Sequence, residues 1–206
     1  MTAGWTGRVM RMLGFLTTLV AVNLLVIAGT AAGLVVLGLF PALVAGGTVL
    51  LRGPGERGAL RTFLGTYGAE FRRANLVGAP FLIAGALLLA DAAVLPRLAG
   101  PAGAVLLVLT GVIAAAVLVV ASAAVTLLVR YDDPAPAVLR HALLVAAGSP
   151  GAALAVVVTA VAVTAVALAV PVLLPLVGMS LPLLLAMKVL DRRLMALDPG
   201  HPLLAS

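Results

Sequence analysis

Long uncharged stretches alternate with short charged segments along this chain. Met12–Leu51 is 40 residues without a charge, and Gly151–Met187 is 37 residues without one. A helix needs about 20 residues to cross about 30 Å of hydrocarbon, so each stretch is long enough for two crossings. Leu76–Leu95, interrupted only by Asp91, and the uncharged Ala102–Val129 are each long enough for one. The pattern therefore predicts an all-α, polytopic transmembrane helical bundle of about six spans.

Pro, Gly and charged residues set the predicted boundaries within a single membrane domain, 1–206. The predicted spans cover residues 13–33, 35–51, 76–95, 102–129, 151–170 and 175–190, and a cytoplasmic amphipathic helix covers residues 57–73.

The placement of the basic residues favours six spans over five. With six, 12 of the 13 Lys and Arg residues share one side and only Arg97 is opposite. Because cytoplasmic loops retain Lys and Arg, this predicts a cell-membrane protein with both termini in the cytoplasm. Five spans, with residues 12–51 as one long tilted or broken helix, is the alternative, because Pro41 lies inside the second span. A turn near Gly29–Gly33 and one near Gly38–Pro41 are both compatible with the sequence.

Composition excludes most other classes of protein. Apolar residues make up 64% of the chain and charged residues 10%, and the mean hydropathy is +1.27. Soluble domains have roughly 45–50% apolar and about 25% charged residues. A soluble enzyme, a nucleic-acid-binding domain and a disordered chain are therefore excluded. The net charge of +6 fits cationic loops beside a lipid bilayer, and nucleic acid is not an expected partner.

The segment after Gly53-Pro54-Gly55 has helical spacing with two unlike faces. Apolar and aromatic residues recur on one face: Leu60, Phe63, Leu64, Tyr67 and Phe71. Arg57, Arg61 and Arg72 lie largely on the other. This predicts an interfacial helix, on the membrane or packed under the bundle, with its arginines at phosphate headgroups. A docking surface for a partner protein is the alternative interpretation.

A second predicted cytoplasmic connection follows the fourth span. Tyr131-Asp132-Asp133-Pro134 forms a turn before a short helix that carries Arg140 and His141. We expect His141 to be an exposed or capping residue.

Two polar residues fall inside predicted spans. Asn23 lies near the middle of the first, where an amide is expected to hydrogen-bond across helices. Asp91 is the one carboxylate inside a span, and it lies about one turn from Pro96. We expect it to pair with Arg97 or to reach the headgroups.

The sequence contains no pattern typical of a catalytic or metal centre. Gly53-Pro54-Gly55 lacks the Lys-Ser/Thr that completes a phosphate-binding loop, and no His/Asp cluster has metal-ligand spacing. There is no cysteine, which excludes thiolate chemistry. We therefore expect no catalytic residues, no metal and no cofactor, and a protein that is not an enzyme.

Several short motifs occur in a fixed order. Asn23-Leu24-Leu25 comes first, and Pro41 is followed by Gly46 and by Leu50-Leu51-Arg52. Phe63, Tyr67 and Phe71-Arg72 lead into the next span, and Leu139–Leu143 leads to Ser149-Pro150. This order resembles the YesL-type family of small bacterial integral membrane proteins. The resemblance implies a multi-pass protein encoded beside carbohydrate uptake and breakdown systems, with no established activity or site.

Two functions are compatible with these features. The first is a non-enzymatic accessory factor for bacterial carbohydrate uptake, which contacts a component of a sugar ABC transporter. The second is a small-solute transporter or channel, because two proline-broken hairpins lie early and late in the chain. Small residues on several spans would suit a homo-oligomer, and they would equally suit packing within one bundle.

Overall fold

The computed structural model describes residues 3–53, 58–97, 100–170, 176 and 178–197. Arg57, one of the predicted interfacial arginines, lies outside the described residues. Seven α-helices run through the described part of the chain, which contains no strand, and the all-α prediction is confirmed. The helices are α1 (Ala3–Ala32), α2 (Leu39–Arg52), α3 (Gly58–Val94), α4 (Pro101–Arg130), α5 (Ala135–Ala147), α6 (Pro150–Ala169) and α7 (Ser180–Leu197).

The long apolar stretch 12–51 folds back on itself. α1 and α2 are separated by the turn 33–38 and pack against each other, so residues 12–51 do not form one continuous helix. The turn lies between the two positions that the glycines suggested. Leu34 and Val35 have positive φ angles of 55° and 66°, which side chains other than glycine rarely adopt.

Glycines at both ends make this turn tight. A Cβ on Gly33 would lie 2.2 Å from the Cα of Gly38, and one on Gly38 would lie 2.4 Å from the carbonyl oxygen of Thr30. Neither position can accept a side chain, because the atoms in the way belong to the backbone. The two glycines therefore allow the chain to reverse within six residues.

α2 occupies the centre of the bundle. It packs against α1, α3, α4 and α7, and eight of its 14 residues are buried. Small residues allow this close packing, since a Cβ on Gly46 would lie 2.6 Å from Val26 and one on Gly47 would lie 2.5 Å from Met187. α2 is about 21 Å long, which is shorter than a bilayer crossing.

Residues 58–94 form one continuous helix where two elements, 57–73 and 76–95, were predicted. Between the two predicted elements, neither a charged residue nor a glycine pair interrupts the helix. The amphipathic segment is therefore the first half of α3 rather than a separate interfacial element.

Helix lengths support fewer crossings than the six predicted. Three helices are long and apolar enough to cross a membrane: residues 7–32, 58–94 and 101–130. A fourth crossing results if α5 and α6, which are bent by 94° at their junction, form one broken span. Of the other predicted spans, 35–51 contains the 14-residue α2, and 175–190 lies partly outside the described residues.

Candidate functional site

Three arginines from three helices gather at the C-terminal end of α4. Arg52, the last residue of α2, donates a hydrogen bond to the carbonyl oxygen of Val129. Arg73 donates from Nε to the carbonyl oxygen of Asp133 at 2.9 Å and from Nη2 to that of Tyr131. Arg130, the last residue of α4, forms an ion pair with Asp191 of α7. We call this region the charged end of the bundle.

Carboxylates at the charged end neutralise part of this positive charge. The Glu70 carboxylate lies 2.9 Å from Nη1 of Arg73, and both side chains are about one-fifth exposed. Asp132 lies 3.7 Å from the same guanidinium but is fully exposed, so its contribution is small. Asp133 faces His141 at 3.8 Å, with both side chains nearly half exposed. The charged end is thus held by Arg–carbonyl hydrogen bonds together with two largely buried ion pairs, Arg73–Glu70 and Arg130–Asp191.

A polar cleft of about 300 Å³ lies at the charged end, between α2, α3 and the end of α4. It has both charges and hydroxyl groups on its walls. Its lining residues are Val44, Thr48, Arg52, Gly65, Thr66, Ala69, Glu70, Leu128, Val129 and Asp132.

An apolar cavity of about 260 Å³ lies further along the bundle, between α2, α4, α6 and the start of α7. Phe40, Leu118, Val156 and Leu183 are among its lining residues, and Ser122 is its one polar side chain. The Ser122 hydroxyl donates to the carbonyl oxygen of Leu118 on its own helix at 2.8 Å. Among its described lining residues the cavity therefore offers shape and apolar surface, and its one hydroxyl already donates its hydrogen within its own helix.

The aromatic residues of the predicted amphipathic segment face the protein. Phe63 is 1% exposed and packs against Val22, Val26 and Val49 of the α1–α2 hairpin. Tyr67 stacks on Phe63 with ring centroids 6.0 Å apart, and Phe71 follows at 5.7 Å. Of the two predicted placements of this segment, the structure has the packed one for its aromatic side, and Phe63 is not available to a partner.

The opposite side of the first four turns of α3 is exposed. Leu60 and Leu64 are 55% and 58% exposed, and Arg61 and Arg72 are exposed beside them. A Cβ on Gly68 would meet no atom within 4 Å. We call this surface, formed by Leu60, Arg61, Leu64, Gly65, Gly68 and Arg72, the open face of α3.

Asn23 connects two helices that are far apart in the sequence. It is completely buried, and its Oδ1 accepts hydrogen bonds from the backbone N–H groups of Met179 at 2.8 Å and Ser180 at 3.0 Å. Ser180 is the first residue of α7, so Asn23 supplies an acceptor that the first turn of this helix lacks. The residue thus caps α7 from α1.

Asp91 lies on the last turn of α3 and is exposed. Among the described residues, no ion pair joins it to Arg97. It therefore lies on the outside of the bundle, away from Asn23 and the cleft.

The sequence pattern missed the polar cleft and Asn75. Arg52, Arg73 and Asp132 come from separate charged segments, and Glu70 is the one acid among residues 57–73. Asn75 donates from Nδ2 to the carbonyl oxygen of Leu37 at 2.9 Å and to that of Phe71 at 2.8 Å. The available signal was an amide directly before a long apolar run.

The described residues contain no group of three or more His, Asp or Glu side chains that could hold a metal ion. The cleft combines guanidinium, carboxylate and hydroxyl groups, which suits binding of a polar group or of a partner's side chains.

A comparison with known families finds a match for one part of the chain. Residues 19–92 match the family model described as a protein of unknown function, DUF624. This segment runs from α1 to the last turn of α3, and it includes Asn23, the α1–α2 turn, Phe63, Tyr67 and Asn75. No curated protein and no solved structure matches the chain. The protein is therefore a helical membrane protein of unknown function that carries a segment similar to DUF624.

Proposed function

We propose that this protein is a non-enzymatic accessory factor of a bacterial carbohydrate-uptake system. It resides in the cell membrane with both termini in the cytoplasm, and it contacts the membrane component of a sugar ABC transporter. The order of motifs that resembles the YesL-type family supports the link to carbohydrate uptake. The arrangement of side chains on α3 supports a role in contact rather than in chemistry.

The open face of α3 is the observation that carries this proposal. The aromatic side of the same helix is already used within the bundle, where Phe63 is buried and Tyr67 is half-buried. The open face keeps two exposed leucines and two arginines, and among the described residues neither Arg61 nor Arg72 forms an ion pair. Gly65 and Gly68 leave the helix backbone accessible, which lets a second helix approach closely.

The charges on the open face of α3 indicate which kind of partner surface could bind there. Two guanidinium groups at the ends of the open face favour a partner segment with carboxylates at matching positions. Leu60 and Leu64 favour apolar contacts between them. A transporter helix with an apolar centre and acidic ends, lying at the cytoplasmic edge of the membrane, has this chemistry.

A small-solute transporter or channel is the second candidate. It is supported by α7, which begins inside the bundle beside the apolar cavity, as interrupted helices do at transporter binding sites. The chemistry of the cavity weighs against it, because the hydroxyl of Ser122 is already bonded to its own helix. The Asn23 oxygen is likewise occupied by the backbone of α7.

Co-purification from native membranes tests the accessory function. The tagged protein, extracted in a mild detergent, is expected to recover a sugar-transporter membrane component. Recovery should fall with Arg61→Glu combined with Arg72→Glu, and with Gly68→Leu, because both changes alter the open face without touching the packed side. Arg140→Glu, at an exposed arginine on α5, is the matched control and should leave recovery unchanged.

Failure of the wild-type protein to recover a transporter component would overturn the proposal, as would equal recovery by the open-face variants. Uptake of labelled solutes into liposomes that contain only this protein would instead favour the transporter.

A further inference from the structure

The depth of the α1–α2 turn in the membrane follows from the position of the charged end. Arg52, Arg73 and Arg130 meet there with Asp191 and the carbonyl groups of residues 129–133. Charged side chains at the bilayer centre are costly, so a layer of them marks an edge of the hydrocarbon. The lengths of helices that leave this layer then measure depth.

α3 and α4 are long enough to cross the whole hydrocarbon from the charged end. α3 continues from Arg73 to Val94, about 32 Å at 1.5 Å per residue, and α4 covers about 44 Å between Pro101 and Arg130. Both distances exceed the roughly 30 Å of a bilayer core. The connection between these helices, residues 95–100, therefore reaches the far face.

The α1–α2 turn ends far short of that connection. Leu37 accepts a hydrogen bond from Asn75, and Phe40 stacks on Phe81 with ring centroids 5.8 Å apart. α3 continues beyond Phe81 for about 20 Å before it ends at Val94. On the other side, Phe40 lines the apolar cavity with Leu118 and Val125 of α4. α4 extends about 26 Å from Leu118 to its start at Pro101.

The length of α2 also indicates that the α1–α2 turn does not reach the far face of the membrane. Its last residue, Arg52, lies at the charged end, and its 14 residues reach only about 21 Å from there. α1 packs against α2 and runs antiparallel to it, so it returns to the side of the charged end. The hairpin therefore enters the membrane from the charged end and turns back inside it.

The side chains of the turn suit acyl chains rather than water. The sequence Gly33–Gly38 contains no polar residue, and its four large side chains, Leu34, Val35, Val36 and Leu37, are 81%, 61%, 58% and 50% exposed. Such a tip in water would expose a compact apolar patch without a polar residue, whereas in hydrocarbon it costs nothing.

The backbone of the turn is hydrogen-bonded within the protein. The carbonyl oxygen of Thr30 accepts from the N–H of Val35 at 2.8 Å, and that of Gly33 accepts from Leu37 at 3.1 Å. α3 supplies two further donors: the Tyr67 hydroxyl bonds to Gly29 at 2.9 Å, and Asn75 bonds to Leu37 at 2.9 Å. Irregular backbone at membrane depth requires such partners, because no water is present to replace them.

We propose that the α1–α2 segment is a re-entrant hairpin whose tip, Leu34–Leu37, lies within the hydrocarbon and contacts lipid acyl chains. Tyr67 and Asn75 stabilise the tip by donating to carbonyl groups that lipid cannot satisfy. The hairpin enters and leaves on the side of the charged end, and only the α3–α4 pair reaches the opposite face from this half of the chain. This inference does not depend on the proposed accessory function.

The absence of cysteine from the sequence makes single-cysteine labelling a direct test. Three variants report on three positions: Val36→Cys at the tip, Arg97→Cys in the α3–α4 connection and Arg140→Cys on α5. With a membrane-impermeant maleimide, Arg97→Cys should react from one side of the membrane and Arg140→Cys only from the other. Val36→Cys should react from neither side, and its labelling should appear once detergent dissolves the bilayer.

Labelling in detergent shows that the Val36→Cys thiol is present and reactive. This result distinguishes a thiol buried in lipid from one buried in a misfolded protein. A nitroxide on the same cysteine should collide with oxygen more often than with a water-soluble nickel chelate, and the ratio should be larger than at position 97. Labelling of Val36→Cys from the same side as Arg97→Cys would overturn the proposal, because the hairpin would then cross fully. Labelling from the side of Arg140→Cys would also overturn it, because the tip would then lie in water.

Discussion

The two halves of α3 lie in different surroundings although both are strongly apolar. The first half, with the end of α4 and the α1–α2 hairpin, is packed on several sides, and Phe63, Ala74, Val77 and Gly78 are buried there. Residues 82–94 contain no buried side chain, and in the facing segment 101–117 only Gly103 is buried. Hydrophobicity alone therefore does not indicate which apolar residues contact protein.

Glycines show most clearly what separates the two regions. A Cβ on Gly78 would lie 2.4 Å from the ring of Phe40, whereas one on Gly85 or Gly111 would meet nothing within 4 Å. The same residue type thus permits close packing in one region and leaves open surface in the other. Because lipid is as apolar as a protein interior, steric fit rather than water exclusion decides where helices associate.

The largest effect is expected at the turn of the hairpin. Gly38→Ala would place a Cβ within 2.5 Å of the carbonyl oxygens of Gly29 and Thr30, which belong to the backbone and cannot rotate away. We expect a loss of about 3 kcal/mol in the free energy of unfolding. SDS-induced unfolding in mixed micelles measures it. Gly85→Ala is the control and should be neutral or stabilising by up to about 1 kcal/mol; equal losses in both variants would contradict the comparison.

The second-largest loss of stability is expected when the Asn23 cap on α7 is removed. Asn23→Leu leaves the N–H groups of Met179 and Ser180 without their acceptor in a buried place, at a cost of about 2–3 kcal/mol. Amide hydrogen exchange at these two residues should become faster. Ser122→Ala, which removes a hydroxyl bonded only to its own helix, should change stability little. A small effect of Asn23→Leu would mean that the bundle holds α7 without the cap.

A smaller loss is expected from Tyr67→Phe. The change keeps the ring stacked on Phe63 and removes the hydrogen bond to Gly29, so the expected cost is about 1 kcal/mol. Tyr67→Leu removes the ring as well and should cost more. If the two variants unfold at the same SDS concentration, the stacking of Tyr67 on Phe63 does not contribute to stability.

The smallest expected effect is an increase in the free energy of unfolding. Val35 has a φ of 66°, which strains a β-branched residue, and Val35→Gly removes that strain. We expect an increase of about 1 kcal/mol in the free energy of unfolding. The neighbouring Val36 does not have a positive φ, so Val36→Gly should give no gain. A gain in both variants would point to side-chain effects instead of backbone strain.

Much of the local structure could be predicted from the sequence. The segments 102–129 and 151–170 coincide closely with α4 and α6, and the spacing of Phe63, Tyr67 and Phe71 correctly indicates a helix with one aromatic side. These predictions succeed because helical periodicity and the length of apolar runs are local properties.

The candidate site could be predicted only in part. Asn23 stands out as an amide inside an apolar run, but its partners at 179 and 180 lie on the last helix of the bundle. The polar cleft combines Arg52, Glu70 and Asp132 from three separate segments, so no spacing in the sequence connects them. The predicted crossing at 35–51 coincides with α2, whose 14 residues are fewer than a full crossing needs, because six residues of the uncharged stretch form the turn.

The sequence by itself determined the medium in which this protein folds. With 64% apolar and 10% charged residues, too few polar side chains exist to cover a soluble surface, whatever the arrangement of the helices. Only the tertiary structure decided which apolar faces contact protein and which stay exposed on the outside of the bundle. The reason is that a leucine or valine has nearly the same free energy in both environments, so the choice depends on glycine-sized gaps, backbone partners and fit between distant helices.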